Sequence, residues 1–215
     1  MRILVTAGPT REAIDPVRFV SNRSSGKMGF AIARAAAGAG HEVTLVAGPV
    51  ALRTPKGVER VDVVSAEEMA AAVARIAAKS DVLVMAAAPA DWRPAVAASH
   101  KLKKRDGPPA IDWEPTPDIL RLACARKRPD QFFVGFAAET DHVYREAMRK
   151  LRDKGLDAIV ANDVSRRDCG MGAEENAATV FTAEGKALEI PRMAKERMAR
   201  RLVQWIERVR PEKND

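Results

Sequence analysis

Short apolar runs alternate with amphipathic stretches along most of the chain. Apolar runs bounded by polar or glycine positions predict strands, whereas apolar positions three or four apart predict helices. The runs predict strands at residues 2–7, 41–47, 58–64, 81–86, 131–137 and 157–162. The periodic stretches predict helices at residues 27–39, 66–79, 142–154 and 192–209. Such alternation is typical of an α/β fold with a doubly wound, mostly parallel sheet and helices on both faces.

The last part of the chain adds a β-hairpin before its final helix. Residues 177–182 and 186–190 predict two strands around the turn Ala183-Glu184-Gly185. Helix 192–209 is basic and amphipathic, and residues 210–215 are expected to be a frayed tail. The predicted fold is therefore a doubly wound sheet with a C-terminal β-hairpin plus helix.

Two helix starts carry capping signals. Ser65 precedes helix 66–79 and is predicted to cap it. A further helix is predicted to begin at Thr116-Pro117-Asp118, with the threonine hydroxyl as the cap and the proline at the first helical position. The proline-rich residues 87–116 before it are too long for an ordinary connection and predict a functional loop or lid.

Composition restricts the class of protein. The chain has 215 residues, 47% of them hydrophobic and 5% aromatic, so it can bury a core of mostly aliphatic side chains. Its net charge of +7 favours anionic partners, although a surplus of surface arginine is an equally good explanation of the total. The two cysteines lack paired spacing, and no leader or apolar membrane span is visible, which predicts a cytoplasmic protein.

The loop between the first strand and the first helix is unusually long and polar. It runs from Gly8 to Gly29 and ends in Ser24-Ser25-Gly26-Lys27. In an open parallel sheet, ligands bind beyond the carboxyl ends of the strands, and a helix N-terminus attracts anions. The loop matches neither the G-x-x-x-x-G-K-[ST] nor the G-x-G-x-x-G pattern. It therefore predicts a phosphate site, with a serine-capped helix start as the alternative.

Four later features could complete such a site. Asp91 follows the fourth strand and could accept hydrogen bonds from a ribose, or it could pair with an arginine. Lys101 begins a lysine run, and Lys150 and Lys154 share one helix face. Phe136, near the end of the fifth strand, could stack on a base. Taken alone, the lysines fit a solvated surface and the phenylalanine fits the core.

In order, these segments resemble the phosphopantothenate–cysteine ligase family, the ligase that bacteria often fuse to a decarboxylase in one coenzyme A biosynthesis protein. The resemblance covers essentially the whole chain. It rests on the motifs TAGPTREAIDPVRFVSNRSSGKMG, AAAPADWRP, KLKK, PTPDIL, VGFAAET and VANDVS. It implies a single Rossmann-like ligase domain over residues 1–209, followed by the tail 210–215. Two positions depart from the family pattern, since Pro89 replaces a usual valine and Met171 a common phenylalanine.

The resemblance also implies an activity. The carboxylate of 4′-phosphopantothenate attacks the α-phosphate of CTP to give an acyl-cytidylate and pyrophosphate. The ion Mg2+ is expected to be held mainly by the nucleotide phosphates, and no side-chain ligand is assigned to it. The amine of L-cysteine then displaces CMP. The implied partners are these three substrates, a second copy in a homodimer that uses the hairpin 177–190, and a phosphopantothenoylcysteine decarboxylase in a larger assembly. No nucleic acid or membrane is expected.

Site residues carry over position by position. Asn22 and Arg18 match positions that handle the acyl-cytidylate and the acid, and Lys101 matches the triphosphate lysine, so these three are the expected catalytic residues. Ala87 and Ala88 match the small residues against which the intermediate lies. The expected nucleotide-binding residues are Ser24, Ser25, Gly26, Ala87, Ala88, Asp91, Lys101, Pro117, Asp118, Ile119, Leu120, Phe136, Lys150 and Lys154.

Two other classes of protein share some of these features. A nicotinamide-dependent, short-chain-type oxidoreductase needs a Tyr-x-x-x-Lys pair, but Tyr144 has Met148 at the lysine position. A basic nucleic-acid-binding module needs aromatic residues interleaved with basic ones, and aromatic residues are scarce here. A stand-alone ligase and one half of a fusion with the decarboxylase are both compatible with the sequence, and the choice of CTP rests on the resemblance.

Overall fold

The predicted doubly wound sheet forms the centre of the molecule. The computed structural model describes residues 1–139, 141–163 and 173–210. The strands of its main sheet are β1 (Arg2–Ala7), β4 (Glu42–Ala47), β5 (Val58–Asp62), β6 (Val82–Met85), β9 (Phe132–Glu139), β10 (Ala158–Asp163), β11 (Glu175–Thr182) and β12 (Gly185–Ala194). Their order across the sheet is β12-β11-β10-β9-β6-β1-β4-β5.

The strand order has a reversal at its centre. In the order of the sheet, the six neighbouring strands β10, β9, β6, β1, β4 and β5 all pair in parallel. The β11–β12 hairpin continues the sheet antiparallel to β10. From β1 the chain first builds outward through β4 and β5, and then returns to the other side of β1 with β6. The mostly parallel α/β sheet with a C-terminal hairpin is thereby confirmed. In such sheets the crevice at the reversal point is where ligands bind.

Five helices cover the two faces of the sheet in the part of the chain that the structure describes. They are α1 (Lys27–Gly38), α2 (Ala66–Ala77), α3 (Ile119–Cys124), α4 (Val143–Lys154) and α5 (Lys195–Val209). One core contains the buried faces of α1 and α5, and the other contains those of α2, α3 and α4. Among the residues described, no helix combines the length and apolarity that a bilayer span requires.

Burial on both faces explains the continuous apolar runs in the sequence. Along β1, Ile3 and Val5 pack in the core of α1 and α5, whereas Leu4 packs in the opposite core. Neighbouring side chains on a strand point to opposite faces, so a strand covered on both sides needs apolar residues at every position. The alternative, a half-solvated sheet, would have shown alternating polar positions.

The capping predictions had different outcomes. Ser65 caps α2 as predicted, because its hydroxyl accepts a hydrogen bond from the Glu68 N–H at 3.1 Å. The prediction for α3 was wrong in detail. The cap is Asp118, whose carboxylate accepts from the Arg121 N–H, while the Thr116 hydroxyl donates to a loop carbonyl instead. The helix α3 therefore begins at Ile119, two residues later than predicted.

The two long connections contain short antiparallel sheets that the sequence pattern did not reveal. The loop after β1 contains β2 (Arg11–Ala13) and β3 (Phe19–Ser21). The segment 87–116 contains β7 (Trp92–Pro94) and β8 (Trp113–Pro115), with one 3₁₀ turn between them. Met171 and residues 211–215 of the expected tail lie outside the described residues.

The start of α1 lies unusually close to β1. A Cβ added to Gly29 would lie 2.5 Å from the Cβ of Ala7 and 2.7 Å from the carbonyl oxygen of Thr6. Ala7 and Thr6 belong to β1, a central strand paired on both sides, which cannot shift without a large cost in free energy. Only glycine at this position therefore lets the first turn of α1 approach the carboxyl end of β1.

We predict that Gly29→Ala destabilises the fold by about 1–3 kcal/mol, because overpacking against a central strand forces backbone shifts. Urea unfolding of the ligand-free protein measures the change. Gly38→Ala is the matched control in the same helix, since a Cβ there meets nothing within 4 Å. We expect the control to be neutral or stabilising by about 0.5 kcal/mol. Equal stability of the two variants would contradict the close approach.

Candidate active site

A cavity of about 420 Å³ opens at the carboxyl edge of the parallel sheet. Its wall is formed by the residues that follow β1 and β6, by the end of β9, and by the N-terminal turns of α1 and α3. Because β1 and β6 flank the reversal in strand order, the cavity occupies the crevice where doubly wound sheets bind ligands.

The cavity brings together most of the site residues predicted from the sequence, although they come from five separate segments. Those that line it are Asn22, Ser24, Ser25, Gly26, Ala87, Ala88, Asp91, Pro117, Asp118, Ile119, Leu120, Phe136, Lys150 and Lys154. Their individual roles remain predictions.

The glycine–serine end of the first loop forms one side of the cavity. Gly26 is the N-cap of α1 with φ of 76°, a left-handed conformation that favours glycine. No side chain caps α1 within the described residues, so the serine-capped alternative is wrong. The N–H groups of the first turn and the positive end of the helix dipole lie at the cavity wall, an arrangement suited to an anionic group.

The opposite side combines an aromatic ring with lysines. Phe136 is half-buried, packs against the sheet core and also lines the cavity. Its place in the core is thereby confirmed, whereas stacking on a base stays a prediction. Lys150 and Lys154 reach the cavity from α4. The Nζ of Lys154 lies 3.1 Å from Oδ1 of Asp118 and thereby connects α4 to the cap of α3.

Asn22 connects the first loop to the segment after β6. Its side-chain nitrogen donates to the carbonyl oxygens of Ala88 at 3.2 Å and Pro89 at 2.8 Å. The Ala88 N–H in turn donates to the carbonyl of Gly8 at 2.9 Å. Proline at position 89 lacks an N–H but keeps the carbonyl that Asn22 uses, so this departure from the family pattern preserves the contact.

Two expected catalytic residues are not among those that line the cavity. The guanidinium of Arg18 is bound by the carboxylate of Asp15 and by the carbonyl of Leu102. Lys101 is exposed in the adjoining segment, next to Leu102. The contact between Arg18 and Leu102 thus places Arg18 beside the segment that contains Lys101, but neither Arg18 nor Lys101 lies at the cavity wall.

Sequence reasoning missed Lys195, which lines the cavity together with Lys27 of the first loop. Lys27 forms an ion pair with Glu174, and Lys195 at the start of α5 is buried. Burial lowers the pKa of Lys195, the charge of Lys27 lowers it further, and Glu174 opposes both. The hydrogen bond from Lys27 lowers the pKa of Glu174. A lysine at the start of an amphipathic helix gives no sequence signal that distinguishes it from a surface lysine.

Asn162 and Asn176 also line the cavity, from the end of β10 and the start of β11. Asn162 donates from its side chain to the carbonyl of Ala177 at 2.9 Å and so fixes the start of the hairpin. A polar residue at the carboxyl end of a buried parallel strand was the available signal for Asn162.

The fold and the cavity define a Rossmann-like α/β domain with a polar, lysine-rich cleft at the carboxyl edge of its sheet. The chain belongs to the family described as the DNA/pantothenate metabolism flavoprotein C-terminal domain, whose model matches residues 1–209. This match confirms the resemblance to the phosphopantothenate–cysteine ligase domain that the motifs indicated.

Individual relatives support the family assignment. The coenzyme A biosynthesis bifunctional protein CoaBC of Escherichia coli (strain K12) is 45% identical over 217 residues, which cover 100% of this chain and 53% of that protein. The crystal structure of a CoaBC C-terminal domain has a TM-score of 0.81 and 43% identity over 96% of this chain and 93% of that one. A Cab2 mutant in complex with phosphopantothenate-cysteine, 16% identical, shares the fold with a TM-score of 0.78 and covers 96% of this chain and 87% of its own. The chain spans about half the length of the curated relatives it matches.

We predict that Lys154→Gln weakens binding of CTP, the nucleotide that the resemblance implies, about tenfold, or about 1.4 kcal/mol, because one cation is removed from the cavity wall. Isothermal titration calorimetry at two salt concentrations measures the loss, which should shrink at high salt. The control is Lys186→Gln, which removes a lysine of β12 that pairs with Glu189 outside the cavity. An equal loss in both variants would mean that general charge, not the cavity, attracts the nucleotide.

Proposed function

We propose that this chain is a CTP-dependent phosphopantothenate–cysteine ligase of coenzyme A biosynthesis. It would join 4′-phosphopantothenate to L-cysteine through an acyl-cytidylate and release pyrophosphate and CMP. The observation that carries the proposal is the single cleft in which the Asn22 loop, the helix start at Gly26 and the lysines of α4 meet. The complex of Cab2, which has the same fold, with phosphopantothenate-cysteine supports this choice of substrates.

The electrostatics of the cleft suit this reaction. A triphosphate and a phosphorylated acid repel each other, so the enzyme must bring several negative charges together. Cationic side chains and the α1 N-terminus at the cavity wall offset that repulsion. In transfers to a phosphoryl centre, catalysis comes mainly from positioning and charge stabilisation, for which a site without a protein nucleophile suffices.

Roles for individual residues follow from position. The helix start at Ser24, Ser25 and Gly26 would bind phosphate oxygens. Phe136 would pack beside the cytosine, and Asp91 would accept from the ribose hydroxyls. Other residues would contact the phosphorylated acid.

Asn22 would orient the acyl-cytidylate, which lies against Ala87 and Ala88. The small side chains there leave room for a ligand to contact the backbone after β6. Arg18 is proposed at the acid side, and Lys101 is proposed to reach the triphosphate from the exposed segment.

Mg²⁺ is proposed to enter with the nucleotide. Among the described residues that line the cavity, the carboxylates are those of Asp91 and Asp118, and Asp118 is already engaged by Lys154 and by the α3 N-terminus. Mg²⁺ commonly keeps several waters and takes the rest of its ligands from phosphates, so the residues present fit an ion carried by the nucleotide. When bound, Mg²⁺ would neutralise phosphate charge.

A homodimer and a cytoplasmic location complete the proposal. Large apolar side chains are exposed on the two short sheets, among them Phe19, Trp92 and Trp113. Exposed apolar surface of this kind favours association. The predicted contact through the hairpin 177–190 has support of another kind, because β12 is an edge strand that would otherwise present unpaired backbone groups. A larger assembly with a decarboxylase is also proposed.

The oxidoreductase interpretation finds no support at the cavity. Tyr144 lies on α4 and packs edge-on against Phe181, with 5.3 Å between the ring centroids. It is not among the residues that line the cavity. A catalytic tyrosine would have to face the ligand.

We predict that the protein with CTP, Mg²⁺ and 4′-phosphopantothenate releases pyrophosphate, and that L-cysteine is required for release of CMP. A coupled pyrophosphate assay and chromatography of nucleotides measure the two products. Reactions with ATP in place of CTP, and with serine in place of cysteine, are the controls. No turnover of nucleotide under these conditions would refute the ligase function.

We also predict that Asn22→Asp forms the acyl-cytidylate but discharges it to cysteine more slowly, by about 10- to 100-fold, because an oriented hydrogen-bond donor is lost. Rapid-quench measurements of pyrophosphate and CMP separate the two steps. Ser21→Ala serves as a neighbouring control, since the Ser21 hydroxyl bonds within the loop and does not line the cavity. Equal slowing of both steps would contradict the role given to Asn22.

A further inference from the structure

Asp15 is a buried carboxylate in the turn between β2 and β3, outside the cavity. One of its oxygens accepts from the backbone N–H groups of Val17 and Arg18, both at 2.8 Å. The other accepts from the guanidinium of Arg18 and from the backbone N–H of Leu102 at 3.1 Å. The bonds from Arg18 hold the pKa of Asp15 well below its usual range, against the effect of burial.

The ion pair of Asp15 and Arg18 also binds the carbonyl of Leu102, in addition to its N–H. The guanidinium of Arg18 donates to the Leu102 carbonyl at 2.7 Å. Both main-chain groups of Leu102 are thus held by one ion pair, although the two segments are more than eighty residues apart in sequence. A further tether is the Ala98 N–H, which donates to the carbonyl of Ile14 at 2.9 Å.

The segment held in this way has little else to fix its position. Residues 95–103 contain no helix or strand, and most of them are exposed. They include Lys101 and Lys103, both of which are exposed. Hydrogen bonds to ionised groups are roughly twice as strong as neutral ones and, with a guanidinium fork, are directional. The Asp15–Arg18 pair is therefore suited to fix a short exposed segment.

We propose that Asp15 is a positioning residue that, with Arg18, clamps the backbone of Leu102 and thereby sets the position of Lys101 for the nucleotide. The inference rests on the proposed function, in which Lys101 contacts the triphosphate. It gives Arg18 a positioning role that its place at the acid side does not include. It also explains why the structure joins Arg18 to the Lys101 segment rather than to the cavity wall.

The decisive experiment is a double-mutant cycle between Asp15→Asn and Lys101→Ala, measured as kcat/KM for CTP. Because Asp15 acts through Lys101, Asp15→Asn should lower kcat/KM roughly tenfold when Lys101 is present and less than about twofold when it is absent. Additive effects would overturn the proposal. A residue with a merely structural role would lower activity equally in both backgrounds.

The matched control is Glu12→Gln in the same hairpin. Glu12 is as buried as Asp15, but its carboxylate accepts from the Ala66 N–H at the start of α2 and has no bond to Leu102. Its effect should be additive with Lys101→Ala. Non-additivity of the same size in this control would assign the coupling to general loosening of the hairpin and would overturn the specific role of Asp15.

Limited trypsin digestion supplies a readout that needs no activity. Asp15→Asn should speed cleavage after Lys101 and Lys103 roughly tenfold without a matching change at other sites, because the clamp governs local opening of this segment. If Asp15→Asn does not fold, Leu102→Pro removes the Leu102 N–H from the exposed segment and should speed cleavage after Lys103. Trypsin does not cleave before proline, so cleavage after Lys101 is not a readout for this variant. Unchanged cleavage would overturn the clamp. Absence of turnover in the unmodified protein would refute the ligase function, while the digestion would still decide the clamp.

Discussion

The site depends on one constraint, which is that the backbone after β1 and the backbone after β6 run side by side. The Ala88 N–H donates to Gly8, the Ala90 N–H donates to the hydroxyl of Thr10, and Asn22 reaches across to the Ala88 carbonyl. These bonds hold two loops that would otherwise diverge beyond the sheet. The alanines after β6 contribute by their size, since a larger side chain there would fill the crevice. The cleft is therefore a property of backbone pairing first and of functional side chains second.

The elements that the sequence predicted well are those whose pattern comes from burial. The core strands are apolar at every position because both faces are covered, and that signal needs no knowledge of neighbours. The short sheets β2–β3 and β7–β8 have strands of three residues, too short for a period to be visible. The cap at Asp118 was missed for a related reason. Thr116 and Asp118 could both have served as the cap, but the Thr116 hydroxyl donates to the carbonyl of Ala90, and that contact is long-range.

The site residues show the same difference between features set by local sequence and features set by long-range contacts. Those in contiguous motifs, such as Gly26 and Asp91, were found because the motif places them at a strand end or helix start. Lys195 was missed because its burial comes from tertiary structure, which places the start of α5 beside Lys27 and Glu174, and not from a pattern in the sequence. Arg18 was assigned to substrate from resemblance. Its contact with Asp15 is local, but its contact with the Leu102 carbonyl joins two loops far apart in sequence, and the sequence contains no hint of that second contact. Pairings between distant loops are the part that a one-dimensional pattern cannot contain.

The charges of the cleft show why the doubly wound architecture matters. Lys27 and Lys195 arrive from helices on one face of the sheet, and Lys150 and Lys154 arrive from a helix on the other. Each side also brings a carboxylate, Glu174 with the first pair and Asp118 with the second. These carboxylates offset part of the repulsion among the lysines. In the proposed function, phosphates would give these lysines stronger partners, and the four lysines would leave enough positive charge to bind a polyanion. A cleft formed by one helix could not distribute opposing charges in this way.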